Sequence, residues 1–104
     1  MDPKQLFIKA EFLYRRVEWV EDWQYIGLET GLEERIDNLL KTIFGSKNII
    51  LIRGRRDSAI MSQHEIRQLF LQGLYDADFK IWSSDFTVVL DFNRIGVYRA
   101  GKAG

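Results

Sequence analysis

Arg53-Gly54-Arg55-Arg56, followed by Ser58, is the stretch of the 104-residue chain whose residue types best suit binding chemistry. Guanidinium groups and free helix-terminal N–H groups both receive phosphate or carboxylate oxygens, and a helix start follows within a few residues. An anion- or RNA-binding loop made of Arg53, Arg55, Arg56 and Ser58 is therefore one reading. A solvated loop is the plainer one. Nucleic-acid modules interleave aromatic residues with the bases on a strand face and are basic as whole domains, whereas here fifteen Lys and Arg balance fifteen Asp and Glu.

Acid–base chemistry has one histidine to draw on. His64 falls in the first turn of an expected helix beside Glu65. A surface histidine is the simple reading, and a small enzyme built on His64 and the nearby arginines the more demanding one. Ser58 and Ser62 lack the glycine-flanked elbow that turns a serine into a nucleophile. Asp76, Asp78 and Asp85 do not match a calcium-loop spacing, and Phe79 to Trp82 between them read as strand, so these acids are read as turn residues. With no cysteine, a thiolate zinc site, a cysteine nucleophile and a disulfide framework are all excluded. Walker A and dinucleotide glycine patterns are absent as well. The sequence thus assigns no catalytic residue, metal ligand or cofactor.

Large apolar side chains among charges are the other feature of interest. If one helix runs from residue 3 to about 22, Leu6, Ala10, Leu13, Val17 and Val20 form its inner stripe, with Phe7 and Tyr14 on the flank. Ile8, Phe12, Trp19 and Trp23 then fall on a second side, edged by Glu11, Glu18 and Asp22. Exposed Trp and Phe among charges are what interface anchors look like, which makes Phe12, Trp19, Trp23, Glu18 and Asp22 candidate partner-binding residues. The competing reading is that this helix is covered on both sides, or breaks near Arg16 and places the tryptophans on a strand.

Around these groups the chain carries well-marked elements. Asp2-Pro3-Lys4-Gln5 is a helix opening with a capping-box glutamine. Trp23 to Glu29 fits a short strand or a loop. Thr30 and Glu33 open a second helix that Gly45 stops, with Leu32, Ile36, Leu39, Leu40 and Ile43 inward. Ile49 to Arg53 follows, beginning with four aliphatics in a row that leave no polar face and so call for cover on both sides. Gly54 to Ser58 reads as loop. Ser62 and Glu65 then cap a third helix, about 63 to 75, with Ile66, Leu69, Phe70 and Leu74 inward. Strands at 79 to 82, 86 to 92 and 95 to 99 complete the pattern, the last two joined by a turn at Asn93-Arg94. Along them Phe79, Ile81, Phe86, Val88, Leu90, Ile95 and Val97 are expected to form one wall of the core, leaving a half-apolar face of Lys80, Trp82, Thr87, Val89 and Tyr98. The tail from Ala100 to Gly104 is expected to fray.

The expected fold is α+β: about three helices on a mainly antiparallel sheet of about four strands, in one domain over residues 1–104, with a C-terminal β-meander. The content of 46% hydrophobic and 29% charged residues suits an ordered globular domain. Residues 1–44 carry a net charge of −3 and the remainder +3, so electrostatic arguments have to be local. No basic-then-apolar leader precedes the first helix, and no apolar run approaches the roughly 20 residues that span a bilayer. A cytoplasmic protein starting at Met1 is therefore expected. In outline, cysteine-free and helix-then-sheet, the chain resembles the small immunity proteins of bacterial toxin systems, a likeness of architecture that carries no shared motif. The expected function is non-enzymatic: binding another protein with a basic surface, as an inhibitor or immunity-type partner would, or binding a second copy of itself.

Overall fold

In the computed structural model, residues 2–20, 22–25, 32–54, 57–71, 78–93 and 97–103 are described. The chain is α+β. Helix α1 spans Pro3–Tyr14, strand β1 Val17–Trp19, β2 Gln24–Tyr25, α2 Leu32–Phe44, β3 Ile49–Gly54 and β4 Asp57–Met61. After α3 (Gln63–Leu71) come β5 (Phe79–Ser83), β6 (Val88–Asn93) and β7 (Val97–Ala103). All the pairings are antiparallel, in the order β1-β7-β6-β5-β3-β4, with β2 also on the outer side of β7. Among the described residues the sheet thus has seven strands rather than four, and the meander of its last three is as expected. No described helix is long and apolar enough to cross a membrane.

Burial on β3 decides the layering. Ile49 and Leu51 join Ile36, Leu40, Phe44, Ile66, Phe79, Ile81, Leu90 and Phe92 in a core under α2 and α3. Ile50 and Ile52 point the other way, into a second core with Leu6 and Ala10 of α1, Trp82, Phe86 and Val89. A strand alternates its side chains, so four consecutive aliphatics supply both cores at once.

Several boundaries depart from the sequence reading. The first helix stops at Tyr14 instead of continuing to 22. Its start is as read: Asp2 and Gln5 cap one another (Gln5 N–H to Asp2 Oδ1 2.8 Å, Asp2 N–H to Gln5 Oε1 3.0 Å). Val17 and Trp19 alternate towards the α1-side core from a strand, which answers their apparent helical spacing; this is the break near Arg16 weighed above. The expected loop from Gly54 to Ser58 is largely β-hairpin, with Gly54 opposite Asp57, and Arg55 and Arg56 outside the described residues. The tail is not frayed through Ala103: Lys102 pairs with Val88 and Ala103 with Val17.

Phe86 does not share a wall with Phe79 and Ile81 but lies in the opposite core. It has a positive φ of 59° in the turn before β6, and this turn shifts it out of strand alternation. Trp82 and Val89, read as part of a half-apolar face, are fully buried beneath α1. Gly45, at φ 63°, ends α2 as expected. The Thr30 cap, the end of the third helix beyond Leu71, Arg94 and Ile95 lie outside the described residues.

Replacing Ile50 or Leu51 by alanine should cost about 2–5 kcal/mol each, since each leaves a cavity in a different core. Urea melts of the two variants measure this, and similar losses from both are expected because the strand is equally covered on its two faces.

Candidate functional site

Arg53 and Ser58 lie on the β3–β4 hairpin. The Arg53 guanidinium is 2.7 Å from the Asp57 carboxylate. The buried Ser58 hydroxyl donates to the Gly54 carbonyl at 2.7 Å. His64 follows the far end of β4, about 13 Å of strand from Asp57 at ~3.3 Å per residue, and its Nδ1 lies 3.1 Å from an Arg67 nitrogen. Arg67 also donates to Asp37 on α2 at 3.0 Å. His64 and Arg53 are therefore not brought together.

Asp85 is a turn residue. Ser83 and Thr87 hydroxyls donate to it at 2.6 Å and Lys47 lies 3.1 Å away. The Ser83 hydrogen bond first, then those of Thr87 and Lys47, hold its carboxyl well below the usual range. Asp78 is exposed, Asp76 lies outside the described residues, and no group of metal-ligating side chains occurs among the described residues.

The aromatic stripe read from the sequence separates onto three surfaces. Ile8 and Phe12, the latter 59% exposed, are on the outer side of α1, opposite buried Leu6 and Ala10. Arg16 covers the Phe12 ring at 4.6 Å. Trp19 lies under α1, packed against the core and edge-on to Tyr14 at 5.5 Å. Trp23 sits between β1 and β2, 40% exposed. Glu18 points to the α2 side, because its neighbours Val17 and Trp19 take the α1 side, and Asp22 lines a groove on the α2 side.

What joins Trp19 to Trp23 is Arg99 of β7, a residue the sequence reading passed over. Its guanidinium lies 3.8 Å from the Trp19 ring centre and 4.5 Å from that of Trp23. It donates to the Tyr14 hydroxyl at 2.8 Å, and that hydroxyl donates to Asp91 at 2.7 Å. Asp91, buried on β6 and cross-strand from Arg99, closes the network at 3.4 Å. Lys80 lies 4.8 Å above the Tyr14 ring. Within this cluster Tyr14, Asp91 and Arg99 satisfy one another, as burial requires, and so fasten α1 and the outer strand edge to β6 and β7. The signal was an acid inside the apolar run Val88–Phe92, a position that demands a partner.

On the opposite face of β7 a groove of about 340 Å³ opens. Val88, Tyr98 and Ala100 form its floor, Leu39, Thr42 and Ile43 of α2 one wall, and Val20, Asp22 and Gln24 the other. Gln24 is anchored by a 3.0 Å bond from the Tyr98 hydroxyl. This volume is near the lower end of ligand pockets, about 300–1,000 Å³, and the mostly apolar lining is typical of them. The same edge segment leaves Val20 and Tyr25 exposed, Tyr25 by 68%. No protein-family model, curated protein or solved structure matches the chain.

The two tryptophans should respond differently to truncation. Trp19→Ala should cost about 2–3 kcal/mol, because it opens the core beside Tyr14 and removes one face of the Arg99 stack. Trp23→Ala should cost less than about 1 kcal/mol. Denaturant melts of both variants check the difference.

Tyr14 yields a pH prediction. Burial first, then its hydrogen bond to Asp91, raises its pKa above the ordinary value near 10, against the opposing effect of Arg99. The folded chain therefore holds this proton more tightly than the unfolded chain. The resulting stability is present in full below about pH 10 and is lost as pH rises through the folded value. Wild type should lose more stability than Tyr14→Phe between neutral pH and about pH 11, measured by urea melts at each pH.

Proposed function

We propose that the chain is a non-enzymatic protein-binding module, whose partner seats on the outer strand edge between Val20 and Tyr25. One observation carries this reading: Val20, Trp23 and Tyr25 all stand exposed within six residues of an edge that no further described strand covers. Edge strands present unpaired backbone groups, and proteins ordinarily blunt them with charge or cover. Keeping three large apolar side chains there suits a surface that spends its working life covered. Glu18 and Asp22 on the same segment are exposed, which favours a partner with a basic surface.

An inhibitor or immunity-type protein, acting by occluding its target, is one form such a module takes. The pairing of Arg53 with Asp57 and of Ser58 with the Gly54 carbonyl weighs against the anion-binding reading of that hairpin. Phe12, on the outer side of α1, is not part of the proposed edge.

The test is a pull-down from the native host with nuclease present, comparing wild type with a Trp23→Ala/Tyr25→Ala double variant. Wild type should retain a defined protein that the double variant loses, with the melting temperature within a few degrees of wild type, since interface anchors typically cost about 2 kcal/mol or more of binding when truncated. Equal retention by both would overturn the proposal.

A further inference from the structure

We infer that the groove between α2 and β7 receives a short extended segment of the partner, with an aliphatic side chain seated between Leu39, Ile43 and Val88 and a lysine or arginine directed at Asp22. This rests on reading the neighbouring edge as a protein-binding surface, and it names the chemistry of what binds. The groove follows β7 from Tyr98 to Lys102, a run of about 13 Å at ~3.3 Å per residue. That matches about four extended residues, and the volume of about 340 Å³ leaves room for a buried side chain rather than a large ligand.

Charge selects the segment. Glu18 and Asp22 are both exposed and have no ion pair among the described residues. Lys102 also lines the groove, but it stands opposite Glu18 in the strand register, and no ion pair joins it to Asp22 among the described residues. Arg99 does not offset it, because its guanidinium is committed on the other face to Tyr14, Asp91 and the two tryptophans. Like charges also disfavour a second copy. Two copies paired antiparallel edge to edge about Val20 would set Glu18 of one opposite Asp22 of the other, twice over.

Fluorescence polarisation of the full chain with three labelled peptides tests the inference. One carries a leucine flanked by Lys and Arg, one has serine in place of that leucine, and one keeps the leucine but is flanked by Glu and Asp. The first should bind at least about tenfold more tightly than either other. Thr42→Arg and Asp22→Lys, both at exposed rim positions, should each weaken it about fivefold or more with unchanged melting temperature. Trp23→Ala/Tyr25→Ala should leave peptide affinity within about twofold, since neither ring lines the groove.

Indistinguishable binding of the three peptides, or indifference to Thr42→Arg, overturns the inference. So does a concentration-dependent dimer in sedimentation that Thr42→Arg abolishes, which would make a second copy the occupant. An apolar dye that binds the groove and that none of the peptides displaces also overturns it. In any of these cases a pull-down that still depends on Trp23 and Tyr25 leaves the protein-binding reading intact.

Discussion

The architecture depends on one strand having to be dry on both faces. Ile49 to Ile52 of β3 place two side chains in each core, so helices must lie on both sides of the sheet. Among the described helices, α2 and α3 share one face and α1 covers the other. It contacts β3 and β4, and its last residue, Tyr14, reaches Asp91 on β6 and Arg99 on β7. Four strand spacings of ~4.8 Å make this span about 19 Å. A helix of 12 residues covers about 18 Å at ~1.5 Å per residue. Had it continued to residue 22, it would have passed the sheet edge and carried Val17 and Trp19 into water. Stopping at Tyr14 lets the chain turn at Arg15 and Arg16 and return as an edge strand, where both side chains find the core.

That return needs room, and residue 101 provides it. A Cβ on Gly101 would meet Val17 Cγ1 and would lie 2.9 Å from both the Glu18 carbonyl oxygen and the Trp19 ring. The close approach of β1 to β7 is thus possible only over glycine. The small residues of the chain's end, Ala100, Gly101 and Ala103, are the bed on which β1 lies. Arg99 then adds a polar lock. Its planar guanidinium stacks on indole rings while its edge donates to Tyr14 and Asp91, a combination that lysine lacks.

Much of this was legible in the sequence, and the failures share a cause. The Asp2–Gln5 and Ser62–Glu65 caps, the Gly45 stop, the two-faced β3 and the meander are local or nearest-neighbour features, so local rules found them. Val17 and Val20 fitted the stripe of the first helix by spacing, yet Val17 and Trp19 fit strand alternation equally well, and only the position of β7 decides between the two. Asp57–Met61 has a single β-branched residue, Ile60, and becomes a strand because β3 offers it a partner edge. Phe86 followed strand alternation on paper, but the Ser83–Asp85–Thr87 hydrogen bonds fold a turn beneath it. The candidate site suffered more than the fold. A stripe inferred from one helix dispersed once that helix ended early, whereas the groove joins α2 to residues of the outer strands, elements that are far apart in the chain.

The two edges of the sheet are finished differently, and the difference bears on function. On β4, Asp57 is tied to Arg53, Ser58 is buried and bonded to the Gly54 carbonyl, and Ile60 is the exposed large apolar residue. The polar side chains of this edge are thus engaged within its own hairpin. On the opposite side Val20, Trp23 and Tyr25 are exposed together, while the neighbouring Trp19 is fixed by Tyr14 and Arg99. The backbone there is held as well: the Val20 N–H donates to the Ala100 carbonyl at 2.9 Å, and β2 pairs with β7. Exposed side chains on a backbone already held in place lose little further backbone entropy when a partner covers them, which favours tight association. Glu18 and Asp22 are exposed on the same segment, and like charges on an edge disfavour its pairing with a second like edge and favour a complementary one. Rigidity, exposed apolar surface and same-sign charge coincide on this one stretch, and that coincidence is what the proposal of a binding edge rests on.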